Sequence, residues 1–137
     1  MEILKTRVQI FKKTLTKLEE TTDYVQSSNV LHPRETRDAL IQRFEYCTDI
    51  FWKLLKDFLR VKYGTELEVA RPKPTLNECT TIRFLTNDEY KACLQIIDDR
   101  NITSYAYDED IADDVAARIH LMKAIFVRLQ RELSVRG

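Results

Sequence analysis

Glycine is almost absent from this chain: two occur among 137 residues, with three prolines. A turn-rich β-sandwich needs many more such breaks, so long, little-interrupted helices are expected. No hydrophobic run approaches the roughly 18 residues that a membrane span requires. Neither sign of charge dominates, since Lys+Arg and Asp+Glu are 22 each. General nucleic-acid binders are usually basic, so DNA is not an expected partner, and any RNA contact must rest on a local site. Cys47, Cys79 and Cys93 are an odd number with no CxxC spacing, which fits buried, reduced thiols in a cytosolic protein. His32 and His120 are far apart and match no zinc spacing. No metal or cofactor is expected. Met1-Glu-Ile-Leu-Lys5 opens straight into an amphipathic pattern, so no signal peptide is expected and the expected location is cytoplasmic.

What is present is helical periodicity. The 137 residues suit one domain, spanning 1–137, that buries enough surface to fold without staples. Leu4, Val8, Phe11, Leu15 and Leu18 recur at steps of four and three and predict a helix from Glu2 to Thr21. Lys5, Arg7, Lys12, Lys13 and Lys17 fall off that face, as a basic groove wall or a solvated surface. Asp23–His32 reads as a loop. A second helix starts near Pro33 and stops at Gly64, with Leu40, Phe44, Cys47, Phe51, Leu55 and Phe58 as its buried stripe. Ile41, Thr48, Trp52 and Leu59 widen that stripe, which suits a central bundle helix, with Trp52 in the core or at an interface. Thr75-Leu-Asn-Glu78 and Thr86-Asn-Asp-Glu89 read as capping boxes opening two further helices. Tyr90, Leu94 and Ile97, with Cys93 alongside, line the inner face of the fourth. Ile111, Val115, Ile119, Met122, Phe126, Leu129 and Leu133 carry the last helix from near Asp108 almost to the end. The expected fold is all-α, an antiparallel up-and-down helical bundle of three long and two short helices.

Between the fourth and fifth helices, Asp98–Glu109 gathers unusual chemistry. Arg100 is a permanently charged fork suited to phosphate or carboxylate. Asn101 can end a helix in the left-handed conformation or hydrogen-bond a ligand. Tyr105 and Tyr107 place two phenols two positions apart. An ordinary phenol titrates near 10 and is a poor general base at neutral pH, though it can be modified as a nucleophile. On residue types alone a purely structural arrangement competes. In it Arg100 pairs with Asp98, Asp99 or the acids of the fifth helix, Asn101 caps, and the tyrosines seal the junction.

Arg43-Phe-Glu-Tyr-Cys-Thr-Asp-Ile-Phe-Trp-Lys-Leu-Leu-Lys-Asp-Phe-Leu59 resembles the signature helix of the nucleotidyltransferase substrate-binding proteins, a branch of the HEPN superfamily. Asp98-Asp-Arg-Asn-Ile-Thr-Ser-Tyr-Ala-Tyr-Asp-Glu109 resembles that family's second signature, Asp-Arg-Asn-x-Thr-Ser-His-x-Tyr-x-Glu. The similarity runs from about Thr36 to the C-terminus, with a weaker fit in the first helix. The resemblance implies a homodimeric bundle whose two joints meet in a cleft, encoded beside a minimal nucleotidyltransferase of the MNT type in a toxin–antitoxin pair. It implies Arg100 as phosphate holder, Asn101 as polar support and Tyr107 as acceptor of AMP from the partner. Asp98, Asp99, Thr103, Ser104 and Glu109 would form the binding rim. Toxin members of the family are metal-independent ribonucleases, but Tyr105 stands where they carry a histidine, and a phenol does not readily replace a group titrating near neutrality. The implied function is therefore a non-catalytic or weakly catalytic partner of the nucleotidyltransferase, with a nucleotide or RNA in the dimer cleft. The alternative is an active endoribonuclease using Arg100 and Tyr105.

Overall fold

The computed structural model describes residues 2–27, 29–103 and 108–136. Five helices appear among them: α1 (Glu2–Val25), α2 (Pro33–Tyr63), α3 (Pro72–Thr81), α4 (Asn87–Thr103) and α5 (Glu109–Arg136). The fold is all-α. Helix α2 packs against each of the other four, which is why its apolar stripe is so wide.

Cross-helix pairings set the directions. Arg7 meets Asp57 and Arg43 meets the Lys17 carbonyl, so α1 and α2 are antiparallel. Asp99 meets Arg118 and Glu89 meets Arg128, so α4 and α5 are antiparallel. Arg37 meets Asp113 and Phe51 meets Phe126, so α2 and α5 run parallel across the bundle's diagonal. Helices α1, α2, α4 and α5 thus alternate down and up around a common core, and α3 packs beside α2 and α4. Phe11, Phe51 and Phe126 meet at its centre with ring centroids 5.1–6.1 Å apart.

The ends of the helices follow local chemistry. Gly64 takes a left-handed conformation (φ 64°), and its amide and that of Thr65 turn back onto the carbonyls of Arg60 and Leu59. Thr86 and Glu89 form a reciprocal capping box, with N–H to side-chain distances of 2.9 and 3.1 Å. The Asp108 carboxylate accepts from the amides of Asp110 and Ile111 and opens α5.

Four expectations need correction. Helix α1 continues to Val25, past the expected end at Thr21. Thr75 does not open α3. The helix begins at Pro72, and the Thr75 hydroxyl donates back to the Arg71 carbonyl at 2.8 Å. Prolines in a first helical turn forfeit no intrahelical bond there, so Pro72 and Pro74 begin the helix. On α4 the fully buried side chains are Cys93, Ile96 and Ile97 together with Asp99, while Tyr90 and Leu94 are half-buried. On α5, Ala112 faces the core and Ile111 lies at the surface.

All three cysteines are buried and reduced. Burial pushes the Cys79 and Cys93 thiols from 9.0 up to about 12, and Cys47 higher still. The unfolded chain ionises these thiols above pH 9 while the folded one keeps them neutral. Their contribution to stability is therefore intact below pH 9 and is lost as pH rises toward 12, by up to about 1.4 kcal/mol per thiol per pH unit. Urea unfolding at pH 8 and pH 10 is expected to show this fall, and the Cys93→Ala variant a shallower one. Equal slopes in the two proteins would contradict a protected thiol at that position.

Candidate functional site

The C-terminal end of α4 is held by two neighbouring residues pointing to different helices. Asp99 lies three positions after Ile96, on the buried face, and is 1% exposed. Its carboxylate receives two bonds from the Arg118 guanidinium of α5, at 2.9 and 2.7 Å, and one from Gln95 Nε2 at 3.1 Å. Asp99 is thus inside the bundle and not on the rim where it was expected. One helical step on, Arg100 turns toward α2.

Arg100 meets two carboxylates that lie one turn apart on α2. Its Nε and one terminal nitrogen donate to the two oxygens of Asp49, each at 3.1 Å, in a parallel fork. Its other terminal nitrogen donates to Glu45 Oε2 at 2.8 Å. The Thr103 hydroxyl lies 3.1 Å from the same Glu45 oxygen and 2.8 Å from the Arg100 carbonyl. The bond to Asp49, with the field of Asp49 and Glu45, raises the guanidinium's pKa further. One cation between two carboxylates leaves the cluster with surplus negative charge. The cluster is half-buried, with about a quarter of the Arg100 side chain exposed.

The expected structural pairing of Arg100 with Asp98, Asp99 or the α5 acids is therefore replaced by one with α2. Glu45 and Asp49 were not identified as site residues from the sequence. Their spacing of four within the signature helix was the available signal: it sets two acids on one half-buried sector. Asp98 points outward and pairs with Lys73 of α3 at 3.3 Å. Asn101 is exposed and makes no side-chain hydrogen bond among the described residues. Ser104, Tyr105 and Tyr107 lie outside the described residues.

Across the joint, Glu109 is bound by Arg37 at 2.6 Å, with Arg34 at 3.6 Å. Arg37 also reaches Asp113 at 2.9 Å and Asp38 at 2.9 Å. Its pKa is raised first by Glu109 and then by Asp113. A cavity of about 330 Å³ opens here between Arg37, Ile41, Thr103, Asp108 and Glu109. Thr103 thus borders both the Arg100 cluster and this cavity. The structure brings Arg100, Thr103 and Glu109 to one end of the bundle. It sends Asp98 and Asp99 to opposite sides of α4.

Such an end ties α4 to both α2 and α5. It offers little to an incoming polyanion, because each arginine that faces it is already bound by carboxylates. Among the described residues no helix is long and apolar enough to cross a membrane.

Comparison with known proteins adds to this geometry. Residues 6–135 match the family described as "Nucleotidyltransferase substrate binding protein like". The chain is also similar to a Thermus thermophilus protein known from its crystal structure. The two are 31% identical with a TM-score of 0.78, over 90% of this chain and 98% of that one. Among curated proteins nothing matches.

Proposed function

This chain belongs to the nucleotidyltransferase substrate-binding protein family, and from that premise we propose that it is a homodimeric partner of a minimal nucleotidyltransferase that accepts AMP on Tyr107. The pair would act in the manner of a toxin and its antitoxin. In the transfer, the Tyr107 phenol oxygen attacks the α-phosphorus of ATP. The bond from that phosphorus to the pyrophosphate oxygen breaks, pyrophosphate leaves, and the phenol proton passes to a base of the nucleotidyltransferase. The Mg²⁺ and the ATP site belong to the nucleotidyltransferase. This chain supplies the nucleophile.

The observation that carries this reading over the ribonuclease one is the pairing of Arg100 with both Asp49 and Glu45. A guanidinium that is to hold an RNA phosphate must leave two carboxylates that already match its fork, in a cluster of negative sign. Anchoring the joint asks nothing of the kind. With Tyr105 in place of a histidine, the proton-transfer partner of the ribonuclease is also replaced by a phenol, a group type that does not ordinarily titrate near neutrality.

Incubation with the nucleotidyltransferase, ATP and Mg²⁺ is expected to add one AMP per chain at Tyr107, read by peptide mass spectrometry. Tyr107→Phe is expected to remove the label. An active nucleotidyltransferase that labels no tyrosine here would overturn the acceptor role. RNA cleavage by the purified protein, lost in Arg100→Ala, would move the assignment to a ribonuclease.

A further inference from the structure

The outer faces of α1 and α2 enclose a groove that the Arg100 cluster does not use. Its larger chamber, about 510 Å³, is lined by Ile10, Lys13, Lys17, Arg43 and Tyr46. Ile10 also borders a second chamber of about 180 Å³, shared with Ile50, Lys53 and Leu54. From Lys17 to Arg7 the groove follows α1 for about 15 Å, close to three turns of a helix laid along it.

Two properties suit this groove to a partner. The first is its cluster of cations. Among the described residues, none of Lys13, Lys17, Arg43 and Lys53 has a carboxylate within 4.0 Å. Arg43 donates only to the Lys17 carbonyl, at 3.3 Å. Arg7, at the other end of the groove, is bound to Asp57. Acidic residues lie past both ends: Glu20 and Glu35 line the depression beyond Arg43, and Asp57 and Glu66 line the one beyond Arg7. The second is exposed apolar surface. Ile10 is 45% and Tyr46 61% exposed, and Ile3, two turns from Ile10 on the same side of α1, is 50% exposed. An apolar strip rimmed by charge marks an interaction surface.

We propose that the α1–α2 groove docks an acidic amphipathic helix of a partner protein. The apolar stripe of that helix would lie on Ile10, Tyr46 and Ile50, and its flanking carboxylates would meet Lys13, Lys17 and Arg43. The inference rests on the reading of this chain as a protein partner, and it gives that partner a docking site away from the joint. A second copy of this chain applied through the same face would set cation against cation. Single-stranded nucleic acid would satisfy the cations but would find only one aromatic ring to stack on and would leave the aliphatic lining unmatched.

The test uses a lactam-locked amphipathic helix of about 14 residues, with leucines at i, i+3, i+4 and i+7 and glutamates on both flanks. Its controls are a scrambled peptide, a twin with lysines for the glutamates, oligouridylate and ATP. Fluorescence anisotropy is expected to show binding of the glutamate helix and not of the scrambled or lysine peptides. Lys13→Glu with Lys17→Glu is expected to weaken that binding at least about tenfold and to create binding of the lysine twin. Unchanged far-UV circular dichroism shows that these surface variants fold. Binding no better than the scrambled peptide, affinity unmoved by the charge reversal, or displacement of the peptide by oligouridylate or ATP would each overturn the proposal. None of these measurements involves Tyr107 or AMP transfer, so the outcome is read separately from that of the acceptor role.

Discussion

Phe51→Ala is expected to destabilise the protein by about 3–5 kcal/mol, the usual range for emptying a buried phenylalanine site. Phe51 is the ring through which three helices meet. It lies 5.8 Å from Phe11 of α1 and 5.1 Å from Phe126 of α5, the latter edge-on at 76°. It is fully buried, and both of its ring partners belong to helices. Three helices pinned by their own hydrogen bonds cannot close on the hole, so the variant loses both the transfer energy of the ring and the contacts of its neighbours. A domain of this size is stable by about 5–15 kcal/mol in all, so the loss takes a large share of the margin. Phe51→Leu keeps most of the volume and is expected to cost under half as much. Urea unfolding of the three proteins, with the slope unchanged, measures both. A loss below about 1 kcal/mol for Phe51→Ala would mean that the bundle repacks around this position, contrary to what interiors of native density do.

The central ring cluster was legible in the sequence because it needs only period. Phe11, Phe51 and Phe126 each sit on a stripe repeating at steps of three and four, and amphipathic helices bury such stripes. The stop at Gly64 and the box at Thr86–Glu89 were legible for an equally local reason: cap chemistry involves residues within a turn of one another. At α3 two local signals compete. Thr75 and Glu78 have the spacing of a box, but Pro72 already fixes a helical φ three residues earlier, and the hydroxyl of Thr75 is taken by Arg71. The pairings at the end of α4 are of another kind. Arg100 lies 51 and 55 positions from Asp49 and Glu45, and periodicity carries no information about which turn of α2 faces which turn of α4. The sector too was misdrawn, through Tyr90, Leu94 and Ile97, which left Asp99 on the rim. Asp99 at three from Ile96 belongs to the buried side, and a buried carboxylate demands a cation. The two adjacent aspartates read alike as residue types. One helical step of about 100° separates a surface ion pair from a buried one.

That step carries the last expectation: Arg118→Ala is expected to cost about 3–5 kcal/mol, the range for breaking a buried ion pair by deleting one partner. The two ends of the pair are unequally placed. The Asp99 side chain is 2% exposed, whereas that of Arg118 is 41% exposed. Without Arg118 the carboxylate keeps only Gln95 among the described side chains, in a site set well inside the bundle. Without Asp99 the guanidinium can swing outward and be solvated. Asp99→Asn is therefore expected to be milder than Arg118→Ala, although both delete the same pair. Replacing both with apolar residues of similar size, Asp99→Leu with Arg118→Met, is expected to recover most of the loss, since well-packed apolar pairs often equal buried ion pairs. A double-mutant cycle by urea unfolding gives the coupling directly. If Asp99→Asn proves the more damaging, the carboxylate is not the stranded partner and the burial argument fails. Asp99 ties the last turns of α4 to α5 while Arg100 ties them to α2, so the end of α4 is clamped by two arms. Arg118→Ala cuts one arm and leaves the Arg100–Asp49 fork intact. Hydrogen exchange should then quicken in the last turn of α4 before it quickens in α2.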